Sequence, residues 1–361
     1  MTTNTRVLKV LILGANGFIG HHLSKRILDS TPWEIHAMDL ASDRLTEIMD
    51  HPRFRFFQGD ITVDLDWVQR QIKNCDVVLP LVAIATPSTY VTDPLRVFEL
   101  DFEANLPIVR AAAQASKRVV FPSTSEVYGM SDDDEFDPET SKLVYGPIHK
   151  TRWIYACSKQ LMDRVIAAYG QQWGLRYTLF RPFNWIGPGL DKLDSTHEGS
   201  SRVVTRFLND IHRGGPITLV DGGAQRRSFT AIEDGLDALM AILSNPNGVA
   251  DGKVYNIGNP ANDVSIAELA IRMIAIARDF PPYHALLDDL RVVSSEGTDF
   301  YGPGYQDMSR RVPSIRHILN DLGWRPRVGL DDALRRVIGT HLPARITRIS
   351  VPKPNCGGGP D

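Results

Sequence analysis

The sequence contains few cysteines and no long apolar run, and each shortage excludes a class of protein. Three cysteines, Cys75, Cys157 and Cys356, stand in 361 residues without CxxC spacing. We therefore expect free thiols, no disulfide framework and no metal site. Apolar runs such as 77–85 are far shorter than the roughly 18–20 residues of a membrane span. Residues 1–9 lack the apolar stretch of a signal peptide, so we expect a cytoplasmic protein with no membrane partner.

An excess of basic residues is also missing. The formal net charge is -3, with 40 Lys and Arg against 43 Asp and Glu. This balance gives no reason to expect a nucleic-acid partner. An anionic ligand therefore has to be met by individually placed arginines. The content of 43% hydrophobic and 23% charged residues is that of a globular enzyme with a large buried core.

Short β-branched runs alternate with helical patterns along the chain. Strands are predicted at 10–13, 34–38, 54–58, 76–81, 118–122 and 177–181, with helices at 21–28 and 156–169. Further on, the pattern predicts a small strand at 216–220, a helix at 233–243, and a strand at 253–257 that returns to the sheet. Such alternation is typical of βαβ units. The predicted fold class is therefore α/β, a Rossmann-type doubly wound parallel sheet with a smaller C-terminal lobe.

Three glycines carry the first chemical signal. Gly14, Gly17 and Gly20 directly follow the first strand and open a helix, where they allow a tight turn and close backbone approach to a pyrophosphate. Asp39 ends the second strand, about 20 residues further on. A carboxylate there accepts hydrogen bonds from a ribose 2′-hydroxyl and repels a 2′-phosphate. The predicted cofactor is therefore NAD.

These signals divide the chain. We assign residues 1–183 and about 228–259 to an NAD-binding domain, and about 184–227 and 260–345 to a substrate-binding lobe. Residues 346–361, which contain three consecutive glycines, are predicted to be a disordered tail.

A tyrosine and a lysine carry the second signal. Tyr155 and Lys159 are four residues apart on a predicted helix, so both side chains lie on one face. Removal of a hydride from a carbinol requires a base for its proton. A free tyrosine, with a pKa of about 10, is mostly protonated at neutral pH, and we expect the Lys159 cation and a nicotinamide ring to lower that pKa. Thr124 or Ser125, after the fifth strand, then holds the reacting oxygen.

These features together resemble a known family. The segments 14–20, 60–61, 123–129 and 181–184, with Asp39 and the Tyr155/Lys159 pair, resemble the extended short-chain dehydrogenases that act on nucleotide sugars. More narrowly, the segments 79–87, 184–188, 221–227 and 305–311 resemble the UDP-glucuronic acid decarboxylase module of the bifunctional polymyxin-resistance enzyme. The resemblance covers about residues 8–340. The formyltransferase domain of that enzyme has no counterpart here, so we expect a stand-alone decarboxylase.

The resemblance implies a set of site residues. Those it assigns to catalysis are Thr124, Ser125, Glu126, Tyr155, Lys159 and Arg311. Those it assigns to NAD are Gly14, Asn16, Gly17, Phe18, Ile19, Gly20, Asp39, Asp60, Ile61, Leu81, Ala83, Tyr155 and Lys159. Those it assigns to the UDP-sugar are Ala85, Tyr90, Arg152, Asn184, Arg202, Arg227 and Tyr305. It also implies a homodimer, with no nucleic acid and no metal.

The implied reaction is oxidation of UDP-glucuronic acid at C4, which leaves a β-keto acid that loses carbon dioxide. The implied acid and base residues are Glu126 and Arg311, without a division of roles. The related 4,6-dehydratases have an aspartate where this chain has Ser125, and that aspartate protonates a leaving hydroxyl. Serine cannot do so, whereas it can hydrogen-bond a carboxylate. The related apiose-forming synthases have cysteines where this chain has Ala85 and Ser125, so ring contraction is not expected.

Several alternatives remain open at this point. A nucleotide-sugar 4-epimerase or 4,6-dehydratase would share the redox apparatus, and the fold also occurs in NAD-sensing interaction modules. The product is either UDP-4-keto-pentose or UDP-xylose, because the same residues serve both outcomes.

Overall fold

The predicted alternation of strands and helices produces one large parallel sheet with smaller sheets beside it. A computed structural model describes residues 7–191, 193 and 201–343. Its strands are β1 (Lys9–Leu13), β2 (Glu34–Asp39), β3 (Phe54–Gln58), β4 (Val77–Pro80), β5 (Arg118–Pro122), β6 (Tyr177–Pro182), β7 (Trp185–Ile186), β8 (Ile217–Val220), β9 (Arg226–Ser228), β10 (Thr230–Ala231), β11 (Lys253–Ile257), β12 (Asp263–Ser265), β13 (Val292–Ser295) and β14 (Arg310–Arg311).

The helices are α1 (Phe18–Ser30), α2 (Leu65–Asn74), α3 (Pro87–Thr92), α4 (Pro94–Phe98), α5 (Leu106–Gln114), α6 (Ile154–Trp173), α7 (Val203–His212), α8 (Ile232–Ser244), α9 (Ile266–Ala277), α10 (His284–Leu287), α11 (Gly297–Tyr301), α12 (Arg316–Leu322) and α13 (Leu330–Thr340). The three helices that the sequence pattern predicts, at 21–28, 156–169 and 233–243, lie within α1, α6 and α8.

The large sheet has seven strands in the order β11-β6-β5-β4-β1-β2-β3. All its neighbouring strands run parallel. The strand order reverses between β1 and β4, and in doubly wound sheets ligands bind at the carboxyl ends of the strands beside such a switch point. The prediction of a doubly wound α/β fold is confirmed, as is the return of the strand at 253–257, because β11 pairs with β6.

The core lies on both faces of this sheet, as β1 illustrates. Val10 and Ile12 point to one face and pack in the cluster that includes α1 and α8. Leu11 and Leu13 point to the other face and pack with α2, α5 and α6. A strand covered on both faces has no polar side, so it appears in the sequence as a continuous apolar run. Each fully buried leucine or isoleucine contributes roughly 1.5–3 kcal/mol to folding.

Small sheets form after residue 183. Strands β12, β9 and β14 make one sheet, and β13 pairs with β8 in another. β14 runs parallel to β9, so that Arg311 stands opposite Arg227. This pairing brings together two arginines that lie 84 positions apart in the chain.

Several expectations concern single residues or the end of the chain. Cys75 and Cys157 are free thiols, as expected. Cys356 and the tail at 346–361 lie outside the described residues. Within the described ranges, no helix is long and apolar enough to cross a membrane, and no group of three or more His, Cys, Asp or Glu is arranged to hold a metal ion.

Candidate active site

Two adjoining cavities open at the carboxyl edge of the large sheet. The first, here the glycine-side cavity, has an empty volume of about 1220 Å³ and includes the glycine loop after β1 among its walls. The second, the arginine-side cavity, has about 920 Å³ and is enclosed by residues of the small sheets and α7. The residues that line both cavities mark their junction: Ala85, Glu126, Asn184, Trp185, Arg202 and Arg311.

The glycine loop forms a tight cradle at the N-terminus of α1. Gly14 has a φ of +92°, a conformation that strains any residue with a side chain. A Cβ atom on Gly20 would lie 2.3 Å from the carbonyl oxygen of Gly14, so only glycine fits there. The backbone N–H groups at such a helix N-terminus favour a bound phosphate. Gly17, Phe18 and Ile19 complete this wall of the cavity.

Asp39 ends β2 and lines a further cavity together with Gly14 and Gly17 of the glycine loop. Its Oδ2 accepts a hydrogen bond from the backbone N–H of Asn16 at 2.8 Å, and its Oδ1 accepts one from Leu40 at 2.7 Å. The Asn16 side chain donates to Asp43 and accepts a hydrogen bond from the backbone N–H of Arg44. The same cavity is also lined by Asp60, Ile61, Leu81 and Ala83, among others. The glycine cradle and this carboxylate fit a dinucleotide without a 2′-phosphate.

Tyr155 and Lys159 lie in the first turns of α6 and line the glycine-side cavity, as do Thr124 and Ser125. Tyr155 is 6% exposed, and its ring stacks on Tyr90 with centroids 4.6 Å apart. Tyr90, which was assigned to the sugar, therefore contacts the tyrosine and lines the glycine-side cavity. Thr124 is a hydrogen-bond partner of the Tyr155 hydroxyl.

Among the protein's own groups, Lys159 does not produce the expected lowering of the Tyr155 pKa, which corrects that part of the prediction; the lowering expected from a nicotinamide ring stays a prediction. Burial raises the pKa of Tyr155 above its ordinary value, and the charges of Asp101 and Glu126 add to the rise; Thr124 and Arg202 offset it in part. The reason is visible at Lys159, whose Nζ lies 3.2 Å from Oδ1 of the buried Asp101. The positive charge of Lys159 is thus matched by a negative charge that the sequence argument did not foresee.

Glu126 lies between two arginines at the junction of the cavities. Its Oε2 accepts a hydrogen bond from Arg152 at 2.7 Å, and its Oε1 accepts one from Arg311 at 3.3 Å. Arg311 also donates to Oγ of Ser125 at 3.3 Å. Burial by itself raises the pKa of Glu126, but Arg152 and Arg311 more than offset this, so its pKa lies below the ordinary value. Glu126 is therefore a carboxylate at neutral pH.

Asp307 extends this network and was missed by sequence reasoning. Its Oδ1 accepts a hydrogen bond from Arg227 at 2.6 Å and lies 3.8 Å from the Arg152 guanidinium. Burial raises the pKa of Asp307, but the charges of Arg227, Arg152 and Arg311 outweigh it and leave the pKa below the ordinary value. The buried network thus alternates arginine and carboxylate from Arg227 to Arg311.

Arg311 is an arginine of this network whose pKa lies below its ordinary value. Burial first, and then the like charge of Arg227, lower the pKa of Arg311 to about 10. Its Nε is buried without a hydrogen-bond partner. The guanidinium therefore carries unused donor capacity at the point where the two cavities meet.

The arginine-side cavity has a positive excess. Its lining contains five arginines and two carboxylates, namely Arg152, Arg202, Arg206, Arg227 and Arg311 with Glu126 and Asp307. Arg202 also pairs with Asp191 at 2.7 Å on the rim. Even with Asp191 counted, two positive charges are left for a ligand. An anion of at least that charge is the ligand that this cavity favours.

The remaining residues assigned to the sugar lie on the same walls. Tyr305 lines the arginine-side cavity and stacks on Tyr301, with centroids 4.4 Å apart. The Asn184 side chain donates to the carbonyl of Ser228 at 2.8 Å. Tyr301 and Arg206 are further lining residues that sequence reasoning missed. Arg206 is on α7, where an arginine next to apolar residues looks like an ordinary amphipathic helix position, so no local signal would have found it.

The fold, the glycine cradle, the Asp39 carboxylate and the Tyr155/Lys159 pair define an NAD-dependent enzyme. The chain belongs to the NAD dependent epimerase/dehydratase family, whose profile matches residues 10–258. The prediction of NAD as the cofactor is confirmed by this membership.

Solved structures with a high likeness include the PbgP3 protein from Burkholderia pseudomallei. It is 57% identical over 93% of this chain and 97% of its own, with a TM-score of 0.85. A UDP-glucose 4-epimerase from Thermotoga maritima, in complex with UDP-glucose, is 20% identical over 92% and 98%, with a TM-score of 0.76. A UDP-glucuronic acid 4-epimerase mutant from Bacillus cereus, in complex with a fluorinated UDP-glucuronic acid analogue and NAD, is 21% identical over 92% and 98%, also with a TM-score of 0.76. The last two likenesses concern the fold alone.

Proposed function

We propose that this enzyme oxidises UDP-glucuronic acid at C4 with NAD and then releases the C6 carboxylate as carbon dioxide. The observation that carries the proposal is the position of Arg311. It is buried at the junction of the two cavities, hydrogen-bonded to Ser125 and Glu126, and its pKa is lowered to about 10. A cation there faces both the redox site around Tyr155 and the cavity for the sugar.

The charge of the arginine-side cavity suits this substrate. UDP-glucuronic acid carries a negative charge on each phosphate and another on its carboxylate. Arg227 and Arg206 are suited to grip the diphosphate, since guanidinium groups bind phosphate oxygens in pairs. Arg311, at the other end of the network, is then free for the carboxylate. Tyr305 and Tyr301 offer a stacked aromatic wall for the nucleoside.

The first step is oxidation at C4. Tyr155 has to enter this step as the phenolate, which the positive charge of a nicotinamide ring would favour. Its oxygen then takes the hydroxyl proton, while Thr124 holds the reacting oxygens by hydrogen bonds. The residues of the glycine-side cavity would hold NAD, and the chemistry that it would supply is a hydride acceptor for C4. Because burial and nearby carboxylates raise the pKa of Tyr155, the phenol is also well suited to return a proton to the oxygen when the ketone is reduced again.

The second step is decarboxylation. The C5–C6 bond breaks, carbon dioxide leaves, and the electron pair passes to the C4 ketone as an enolate. We assign Arg311 as the group that stabilises this negative charge and supplies a proton to C5, because Glu126 is already ionised and cannot donate one. Glu126 and Ser125 hold Arg311 in place.

The same apparatus would serve a 4-epimerase, for which the C6 carboxylate must stay on the ring. Dehydration is disfavoured because Ser125 is not an acid and Glu126, held between two arginines, has no proton to give. An NAD-sensing module would not require a buried Tyr155 beside Thr124. The homodimer and the division into an NAD domain and a substrate lobe stay predictions.

The test is a proton NMR time course of the purified protein with NAD and UDP-glucuronic acid. We expect the substrate signals to be replaced by UDP-4-keto-pentose, UDP-xylose or both, and the ratio of the two fixes the product. Accumulation of UDP-galacturonic acid would make the enzyme an epimerase. Unchanged UDP-glucuronic acid, with turnover of a neutral UDP-sugar instead, would refute the assigned substrate.

A further inference from the structure

A π-helical segment interrupts the helical run between α4 and α5. It spans Glu99–Glu103, and the backbone N–H of Ala104 donates to the carbonyl of Glu99, five residues earlier, at 2.8 Å. Such segments hold one extra residue in a turn and occur often at functional sites. Here the wide turn directs Asp101 into the interior, where it is 0% exposed.

Asp101 lies behind Lys159 and does not line either cavity. Its Oδ1 is 3.2 Å from Nζ of Lys159, which is itself 1% exposed. Its Oδ2 accepts a hydrogen bond from the backbone N–H of Ile84 at 3.0 Å, in the loop that carries Ala83 and Ala85 along the cavity walls. Asp101 thus ties the Tyr155/Lys159 helix to the loop after β4.

We propose that Asp101 is a positioning residue of the redox site, which fixes Lys159 in a buried ion pair and cancels its charge, so that Tyr155 becomes a base only beside an oxidised cofactor. The proposal rests on the redox role of Tyr155 given above and not on decarboxylation. Asp101 touches neither ligand in this scheme, since it acts through Lys159.

The electrostatics around Tyr155 support this. The charged groups around it are Lys159 on its own helix, Asp101 on the π-helical segment and Arg202 before α7. Glu126 after β5 is a further one, and its charge is matched by Arg152 and Arg311. Tyr90 of α3 is a stacked neutral ring. Burial comes first among the causes that raise the Tyr155 pKa, and Asp101 comes second. Because Asp101 balances the charge of Lys159, the positive charge that stabilises the Tyr155 phenolate has to come from the bound cofactor.

The test is the variant D101N, which keeps the shape and a hydrogen-bond acceptor for Lys159 but removes the charge. An uncompensated Lys159 should lower the Tyr155 pKa, so the acid limb of the pH profile for NADH formation moves about one unit to lower pH, since a nearby charge shifts a pKa by about 1–3 units. The added positive charge should also weaken the binding of NAD⁺ relative to that of NADH by about tenfold. The two dissociation constants are measured by calorimetry without any sugar present.

The matched control is D234N. Asp234 is also a buried carboxylate, but it lies on α8 and accepts hydrogen bonds at 3.0 Å from the backbone N–H groups of Arg327 and Val328. Its loss should lower the melting temperature without moving the pH profile or the affinity ratio. If D101N does not fold, D101S removes the same charge with a smaller side chain and carries the same expectation. A loss of kcat that is the same at every pH, together with an unchanged ratio of the NAD⁺ and NADH dissociation constants, would overturn the proposal. The ratio of the two dissociation constants is measured without sugar, so this test of Asp101 can fail or succeed independently of the proposed reaction.

Discussion

Replacement of Arg311 by methionine removes the charge at the junction of the two cavities while it keeps a long side chain. The Arg311 guanidinium lies 3.3 Å from Glu126 Oε1, which corresponds to a gross attraction of about 5 kcal/mol at an effective dielectric constant of 20. Glu126 retains its hydrogen bond from Arg152 at 2.7 Å, so the substitution does not leave a buried carboxylate without a partner.

The expected loss of stability is therefore modest. Breaking a buried ion pair costs about 3–5 kcal/mol when the partner is left alone, and the cost here should be nearer 1–2 kcal/mol because Arg152 remains and the repulsion from Arg227 is relieved. The expected loss of activity is much larger. A positioned acid contributes about 100- to 10,000-fold to a proton transfer, so kcat for carbon dioxide release should fall by at least about 100-fold, or roughly 2.7 kcal/mol.

The assay measures carbon dioxide release and NADH formation side by side, with R310M as the matched control. Arg310 is the adjacent residue on β14, but it is half-exposed and pairs with Asp134 at the surface, so R310M should keep kcat within about twofold. R311M should still bind NAD, since Arg311 is not part of the glycine cradle. Carbon dioxide release at the wild-type rate by folded R311M would refute the role assigned to Arg311.

Three further predictions concern the cradle, the buried network and a histidine. G20A should weaken NAD binding and destabilise the fold by about 1–3 kcal/mol, because its Cβ would lie 2.3 Å from Gly14 O. The control G329A, whose Cβ would lie 3.9 Å from the nearest Asp332 oxygen, should do neither in calorimetry and melting. Two arginines lower the pKa of Glu126 against the effect of burial, so the ionised Glu126 stabilises the fold. The difference in unfolding free energy between wild type and E126Q should therefore be full above about pH 4.3 and shrink below it, in urea titrations from pH 7 to 3. A difference that grows on acidification would contradict this. Burial lowers the pKa of His21 to about 4, so on acidification the unfolded state binds this proton before the folded state does. The unfolding free energy of the wild type should therefore fall as the pH drops from 6.5 to 4, and that of H21Q should fall less. Equal pH dependences of the two unfolding free energies would count against this.

The central sheet and the cofactor cradle could be predicted from the sequence because their signals are local. A strand buried on both faces must be apolar along its length, and a helix that opens beside a phosphate needs glycine at fixed spacing. β5, which is buried throughout, therefore begins and ends where the pattern placed it, and so do the two edge strands β3 and β11. That Tyr155 and Lys159 share one face of α6 followed from their helical spacing, and their order behind the glycine loop and the fifth strand pointed to the redox site.

The partners of the charged residues could not be predicted in this way. Asp307 lies within a segment that the resemblance singled out, yet only the pairing of β14 with β9 places it between Arg227 and Arg152. Asp101 lies in a helical run between Glu99 and Glu103, where one more acidic residue looks like an ordinary solvated position, and the π-helical turn directs it inward. The effect expected of Lys159 on the Tyr155 pKa was wrong for the same reason, since the sequence shows Lys159 but not the carboxylate behind it.

The most direct test of the proposed reaction is the fate of the C6 carbon. UDP-glucuronic acid labelled with ¹³C at C6 would be incubated with NAD and either the wild-type protein or Y155F, which should bind NAD normally but lack the base. We expect the wild type to release one labelled carbon dioxide for each substrate consumed, and Y155F to release about 1000-fold less or none. Label that stays in a UDP-hexuronic acid while the wild type turns over would contradict the account.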